Sequence, residues 1–129
     1  MPSFGERSKA NLETCDPALR SVLEDLIKYI DFAVICGYRT QEEQDVAYDE
    51  GKSELKYPQS KHNSYPSRAV DIAPYPIDWF NAARFAHLAG LAIGLAKERG
   101  INLRWGGDWN QNGELTDNKF NDLPHLELV

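Results

Sequence analysis

Cysteine is scarce in this chain. Cys15 and Cys36 are the only two, too few for the disulfide framework that staples small secreted domains. Neither sits in a CxxC or zinc-ribbon spacing, which speaks against a thiolate-rich metal site. Cys36 falls in the apolar run Phe32-Ala33-Val34-Ile35-Cys36, where a buried, inert thiol is expected; whether it meets Cys15 stays open. Long apolar runs are also missing. Nothing approaches the ~20 residues that a membrane-spanning helix needs, and Met1 to Arg7 lack the apolar stretch of a signal peptide. The expectation is a protein made in the cytoplasm, not inserted in a membrane, that leaves the cell only with the help of another factor. Positive charge is in short supply too. With 14 Lys and Arg against 20 Asp and Glu, the net charge is −6 and the pI near 5.0, which argues against a nucleic-acid groove.

What is present suits a soluble globular fold. Its 129 residues, 42% hydrophobic and 26% charged, are enough for one real hydrophobic core. Without repeats, low-complexity segments or linkers, residues 1–129 are expected to form a single domain. Asp16-Pro17 opens a helix, Asp as cap and Pro at its first position, and Leu19, Val22, Leu23, Leu26, Ile27 and Ile30 follow at helical spacing. Phe32 to Cys36 reads as a short strand ended by Gly37. Thr40 and Glu43 form a capping box for a helix that runs to about Glu50 and stops at Gly51.

Residues 52–67 form a long polar loop, and long ordered loops in small domains usually serve function. Arg68 to Ala73 reads as a strand. Asp78 is expected to cap a long helix from about Trp79 to Arg99, burying Phe80, Ala83, Leu88, Leu91, Ala92 and Leu95, with Phe85 and Ile93 beside them. Ile101 to Trp105 and His125 to Leu128 read as strands, with His125 beginning the last. Helices and strands mix without regular alternation, so the fold class is α+β.

Of the 3 histidines, His87 sits mid-helix and is expected to be structural. His62 lies in the long loop, Asp71 on the strand that leaves it, and His125 directly follows Pro124. Two His and one carboxylate leave a tetrahedral position open, the pattern of a catalytic zinc ion, which activates water and polarises a carbonyl. Spacing alone does not decide this. His62 as a solvated loop residue and Asp71 as an ordinary strand-end carboxylate remain open alternatives.

Ser60-Lys61-His62 followed by Ala69-Val70-Asp71 resembles the Ser-x-His…Ala-x-Asp motif of the family that groups zinc D-Ala-D-Ala carboxypeptidases with L-alanyl-D-glutamate endopeptidases. Asp122-Leu123-Pro124-His125-Leu126-Glu127 resembles its closing motif. Gly37-Tyr38-Arg39-Thr40, Gln41 to Gln44, Gly51-Lys52-Ser53 and Trp105 to Trp109 match in order and spacing, so the resemblance runs from about residue 8 to the C-terminus. It implies a small antiparallel sheet packed with helices, Hedgehog/DD-peptidase-like, and zinc held by His62, Asp71 and His125. Asp122 would be the general base, and Arg39 would hold substrate or stabilise the oxyanion. Ser60 would bind substrate or brace the His62 loop, Ser53 being a weaker candidate for either. Glu127, two residues beyond His125 on a strand, points to the same face and is a candidate to orient that imidazole; a surface Glu is the alternative. One departure stands out. The commoner family form has a Gly in a shorter His-to-Asp segment, whereas Asn63-Ser64-Tyr65-Pro66-Ser67-Arg68 contains none, so this loop must turn through Pro66 and its polar neighbours.

A second metal signal is Asp108-x-Asn110-x-Asn112-Gly113, the first half of an EF-hand-like loop. Lys119 replaces the usual bidentate Glu, which excludes a standard EF-hand; Asp117 and the carbonyl of Glu114 are further candidate ligands for calcium. A polar turn is the alternative.

The resemblance implies a phage or prophage endolysin: a zinc peptidase, expected as a monomer, that cuts the L-Ala–D-Glu bond of the peptidoglycan stem peptide. It would reach the wall after membrane permeabilisation, with targeting residing in the same domain. The alternatives are D-Ala-D-Ala carboxypeptidase or dipeptidase activity, a non-catalytic wall- or metal-binding protein on the same fold, and an unrelated domain.

Overall fold

A computed structural model describes residues 2–114 and 121–129. Two helices lead, α1 (Glu6–Glu13) and α2 (Pro17–Leu26), followed by strand β1 (Phe32–Cys36) and helix α3 (Gln41–Asp49). A one-turn 3-10 helix at Lys61–Asn63 precedes β2 (Ala69–Pro74), the long helix α4 (Ala82–Glu98), β3 (Leu103–Gly106) and β4 (Asp122–Leu128). The strands form one sheet in the order β1-β2-β4-β3, each neighbouring pair antiparallel. This is the expected α+β class.

Local signals account for much of it. The Asp16 carboxylate accepts the Ala18 amide at 2.9 Å, and Pro17 opens α2. Leu19, Val22, Leu23 and Leu26 are its buried stripe. Thr40 and Glu43 make the reciprocal capping box of α3, and Gly51 follows at φ +75°, a left-handed conformation that favours glycine. Helix α4 packs Leu88, Ala89, Ala92 and Ala96 into the core that Val70, Ile72, Trp105 and Leu126 of the sheet complete with α2, while its buried Phe85 stacks on Trp79.

Several expectations need correction. Helix α4 begins at Ala82 with Asn81 as its cap, because the Asn81 side chain takes the Arg84 amide. Asp78 instead accepts the Phe80 amide at 3.0 Å in a local turn. Phe80 is therefore outside the helix and 98% exposed, and Ala83 and Leu91 are also exposed; the true stripe lies one step round the helix. β2 and β3 are each displaced toward the C-terminus, and β4 begins at Asp122, three residues before His125. Cys36 is half-buried, whereas Cys15 is buried, and both thiols are free.

Helix α1 has no counterpart in the sequence reading. Its polar side chains do the packing: Ser8 Oγ accepts the Val34 amide at 3.0 Å, and Asn11 Nδ2 donates to the carbonyls of Val34 and Ile35 at 2.9 and 3.1 Å. The outer edge of β1 is thereby covered.

Candidate metal centre and active site

Register in the sheet assembles the centre. Asp71 on β2 lies opposite His125 on β4 and, on its other side, opposite Cys36 of β1. His62 arrives from the 3-10 turn, whose start is capped by Ser60: its hydroxyl accepts the His62 amide at 3.2 Å, while Asn63 Oδ1 accepts the Ser60 amide. The turn is pinned next to β1 by the Arg39 amide, which donates to the His62 carbonyl at 2.7 Å.

Three donor atoms then converge. His62 Nε2 lies 3.2 Å from Asp71 Oδ1 and 3.2 Å from His125 Nδ1, and His125 Nδ1 lies 3.4 Å from Asp71 Oδ1. A tetrahedral ion bound at 2.0–2.1 Å separates its ligand atoms by about 3.3 Å, so the triangle has the size of one face of such a tetrahedron. The far side of each ring fixes which nitrogen bears hydrogen. His62 Nδ1 donates to the Gly37 carbonyl at 2.7 Å, and His125 Nε2 donates to Glu127 Oε1 at 2.8 Å. Both lone pairs therefore face inward beside a carboxylate oxygen.

Three inward-facing acceptors demand a positive charge. Burial alone would lower the His62 pKa, but the Asp71 carboxylate raises it to about 10. His125 is raised against burial by hydrogen bonds to Asp71 and Glu127. Burial would raise Asp71, yet the two imidazoles hold it well below the usual carboxylate range. These shifts report protons held between the imidazoles and Asp71, which a bound metal would replace, and the donor set of two imidazoles and one carboxylate suits zinc.

The surroundings are charged and ordered. Glu127 is buried, bound by Arg104 Nη2 at 2.6 Å and Lys61 Nζ at 3.3 Å. Burial pushes its pKa up, but His125, Arg104 and Lys61 bring it down from 4.5 to about 2. Arg39 places Nη2 3.4 Å from Asp71 Oδ2, the salt bridge that competes with a substrate-facing role. Asp122 Oδ2 lies 3.9 Å from His125 Nδ1, and Asp71, Asp122 and His125 group closely enough to share an ion. Burial, then the nearby Asp71 charge, raises Asp122 to about 6 against the pull of His125, His62 and Arg39.

Other candidates fall differently. Ser53 Oγ lies between Gln44 Nε2 and the Leu55 amide, bracing a loop. The Gly-less loop turns through polar contacts as expected: Ser64 Oγ bonds the Lys61 carbonyl and the Arg68 amide, and buried Ser67 bonds the carbonyls of Gly37 and Ala69. In the Asp108 loop, Asp108 Oδ1 and Oδ2 accept the amides of Asn112 and Gly113, Asn110 Oδ1 accepts that of Asn112, and Asn112 Oδ1 that of Glu114. These oxygens are turned onto their own backbone, as in a polar turn, and among the described residues no metal-sized group includes Asp108 or Glu114. Asp117 lies outside the described residues. Calcium therefore gains no support here.

Three features escaped the sequence reading. Trp109 sets its ring 5.4 Å from that of His125. Cys36 was expected to be inert, yet its Sγ lies 4.0 Å from His62 Nδ1, and Cys36, His62 and Asp71 form a second metal-sized group. We assign the inward triangle to His125 rather than Cys36, because His62 Nδ1 is already engaged by the Gly37 carbonyl. Gln44 is fully buried beside Arg39; the motif stretch Gln41 to Gln44 and its spacing to buried Ala47 are the sequence signals, and neither gives it a role.

The chain is similar to known peptidases over nearly its whole length. The sequence model for "Phage L-alanyl-D-glutamate peptidase" matches residues 2–129. The L-alanyl-D-glutamate peptidase of Escherichia phage T5 is 36% identical over 136 residues, covering 98% of this chain and 97% of that protein. The crystal structure of the Serratia marcescens L-Ala D-Glu endopeptidase ChiX superposes with a TM-score of 0.77 at 27% identity, covering 99% of this chain and 91% of that one. The chain belongs to the phage L-alanyl-D-glutamate peptidase family.

Proposed function

We propose that this protein is a zinc-dependent peptidoglycan hydrolase of the endolysin type, cutting the L-Ala–D-Glu bond of the stem peptide once the membrane has been permeabilised. The observation that carries this reading is the triangle of His62 Nε2, Asp71 Oδ1 and His125 Nδ1, with both imidazole tautomers fixed from behind, in a chain of this family.

His62, Asp71 and His125 hold the ion. When bound, zinc polarises the scissile carbonyl and acidifies the attacking water. Asp122, with its pKa raised to about 6 by burial and by Asp71, is a carboxylate at neutral pH with appreciable basicity. It takes the proton of the attacking water as the oxygen adds to the carbonyl carbon, then delivers it to the departing D-Glu amine. Arg39 steadies Asp71 through its salt bridge, and a role at the developing oxyanion would require it to reach substrate from there. Glu127 keeps the His125 ring in the tautomer whose Nδ1 faces the ion. Ser60 holds the His62 turn.

The test is digestion of purified peptidoglycan by wild type and Asp122→Ala, with products read by mass. Wild type is expected to release stem peptides beginning at D-Glu, whereas Asp122→Ala keeps its zinc and loses roughly 10²–10⁴-fold in turnover. Products shortened only by a terminal D-Ala would replace this reading with a carboxypeptidase. Wall binding without new amino termini would replace it with a non-catalytic binder.

A further inference from the structure

Gln44 belongs to α3 and contributes no atom to the triangle, yet it is 0% exposed. A buried primary amide must place two donors and two acceptor lone pairs, and all four are used. Gln44 Oε1 accepts Arg39 Nη1 at 2.9 Å and Asn63 Nδ2 at 3.3 Å. Its Nε2 donates to Ser53 Oγ at 3.0 Å and to the Leu55 carbonyl at 2.6 Å.

The two acceptor-side partners both lead to the metal centre. Arg39 extends its other nitrogen, Nη2, to Asp71 Oδ2, leaving Oδ1 for the histidine pair. Asn63 follows His62 directly in the 3-10 turn, and its Nδ2 also donates to the Arg39 carbonyl at 3.1 Å. One amide oxygen thus ties the arginine that orients Asp71 to the turn that carries His62. The donor side fastens the same amide to the segment after α3, so its oxygen cannot rotate away without stranding two buried donors.

We propose that Gln44 is a positioning residue for the metal centre: by holding Arg39 and Asn63 on one oxygen, it sets the carboxylate of Asp71 and the ring of His62 at ion-binding separation. The inference rests on the zinc-centre reading above. Without this oxygen, Arg39 Nη1 loses a buried acceptor and the guanidinium rotates, so that Asp71 presents either oxygen, or both, to the ion. Outer partners of this kind affect metal affinity by about 10–100-fold.

The test compares Gln44→Met, which keeps side-chain length but removes both polar ends, with Val22→Ala, a core truncation in α2, a helix that contributes no atom to the centre. Zinc affinity is measured by chelator competition, kcat and KM on a soluble L-Ala–D-Glu stem peptide, and Tm on the metal-free proteins. Gln44→Met is expected to bind zinc at least 10-fold more weakly and to lower kcat with KM changed less than about 2-fold. Val22→Ala lowers Tm while leaving zinc affinity and kcat as in wild type. Wild-type zinc affinity and kcat in folded Gln44→Met would overturn the proposal, as would equal zinc weakening by Val22→Ala, which marks a purely structural effect. If wild type itself binds no zinc, the metal-centre reading fails, and this proposal with it.

Discussion

At the scale of single residues, each inward atom is chosen by a partner behind it. The His62 ring is set by the Gly37 carbonyl and the His125 ring by Glu127, which Arg104 and Lys61 keep ionised. Glu127→Gln keeps the shape and removes the charge. It is expected to weaken zinc binding roughly 10–100-fold in chelator competition; unchanged affinity would show that the carboxylate does not orient the ligand. The same group predicts an acid response in the metal-free protein. Its pKa falls from 4.5 to about 2 on folding, so its contribution is complete above pH 4.5 and is lost as pH drops through 2. Acid titration of wild type and Glu127→Gln should differ in slope across that window, and again where His125 titrates, since Glu127 is one of the groups that raise it. The two thiols also part company. Burial raises the Cys15 thiol to about 11, and Cys15 is buried whereas Cys36 is only half-buried; since the thiolate is the nucleophile, alkylation at pH 8 should reach Cys36 first, as peptide mapping would reveal.

Among the elements, the meeting of β3 and β4 is the tightest constraint on the proposed base. A Cβ at Gly106 would lie 2.0 Å from the Asp122 carbonyl oxygen and 3.1 Å from its Cβ. Gly106→Ala must therefore displace the start of β4. We expect it to lower peptide hydrolysis at least tenfold while retaining stoichiometric zinc, because misplacing a reacting group by about 1 Å can cost 10²-fold. Full activity in that variant would place the base elsewhere. The 3-10 turn is the second element of note, since Ser60 and Asn63 cap it reciprocally and Gln44 holds it from α3.

For the whole molecule, the proposed ion would tie together segments that lie far apart in the chain. His62 comes from the 3-10 turn and Asp71 and His125 from two strands, and a ligand that all three hold only in the folded protein adds its binding free energy to the fold. Zinc is accordingly expected to stabilise the fold by about 2.7 kcal/mol at 100 times its Kd, raising Tm by roughly 10 °C. A thermal melt with and without chelator checks this, and equal Tm values would mean that the native site is not assembled for a metal. No helix among the described residues is long and apolar enough to cross a membrane.

What the sequence determined alone was whatever depends on neighbours within about one helical turn. Asp16-Pro17, the Thr40–Glu43 box and the stop at Gly51 were legible because their hydrogen bonds close over two to four positions. The start of α4 differs from the expectation because Asp78 and Asn81 are both competent caps: Asp78 is engaged by the Phe80 amide, while Asn81 takes the Arg84 amide and Phe85 is buried against Trp79. The residues of the candidate site could be named from their motifs, but their arrangement could not. His62 and Asp71 are 9 positions apart and His62 and His125 63, so their approach is set by strand register and by the Ser60 turn, neither of which leaves a local trace. Gln44 makes the point most directly: its sequence neighbours make it an ordinary polar helix residue, and only burial at a four-way junction gives its amide oxygen a task.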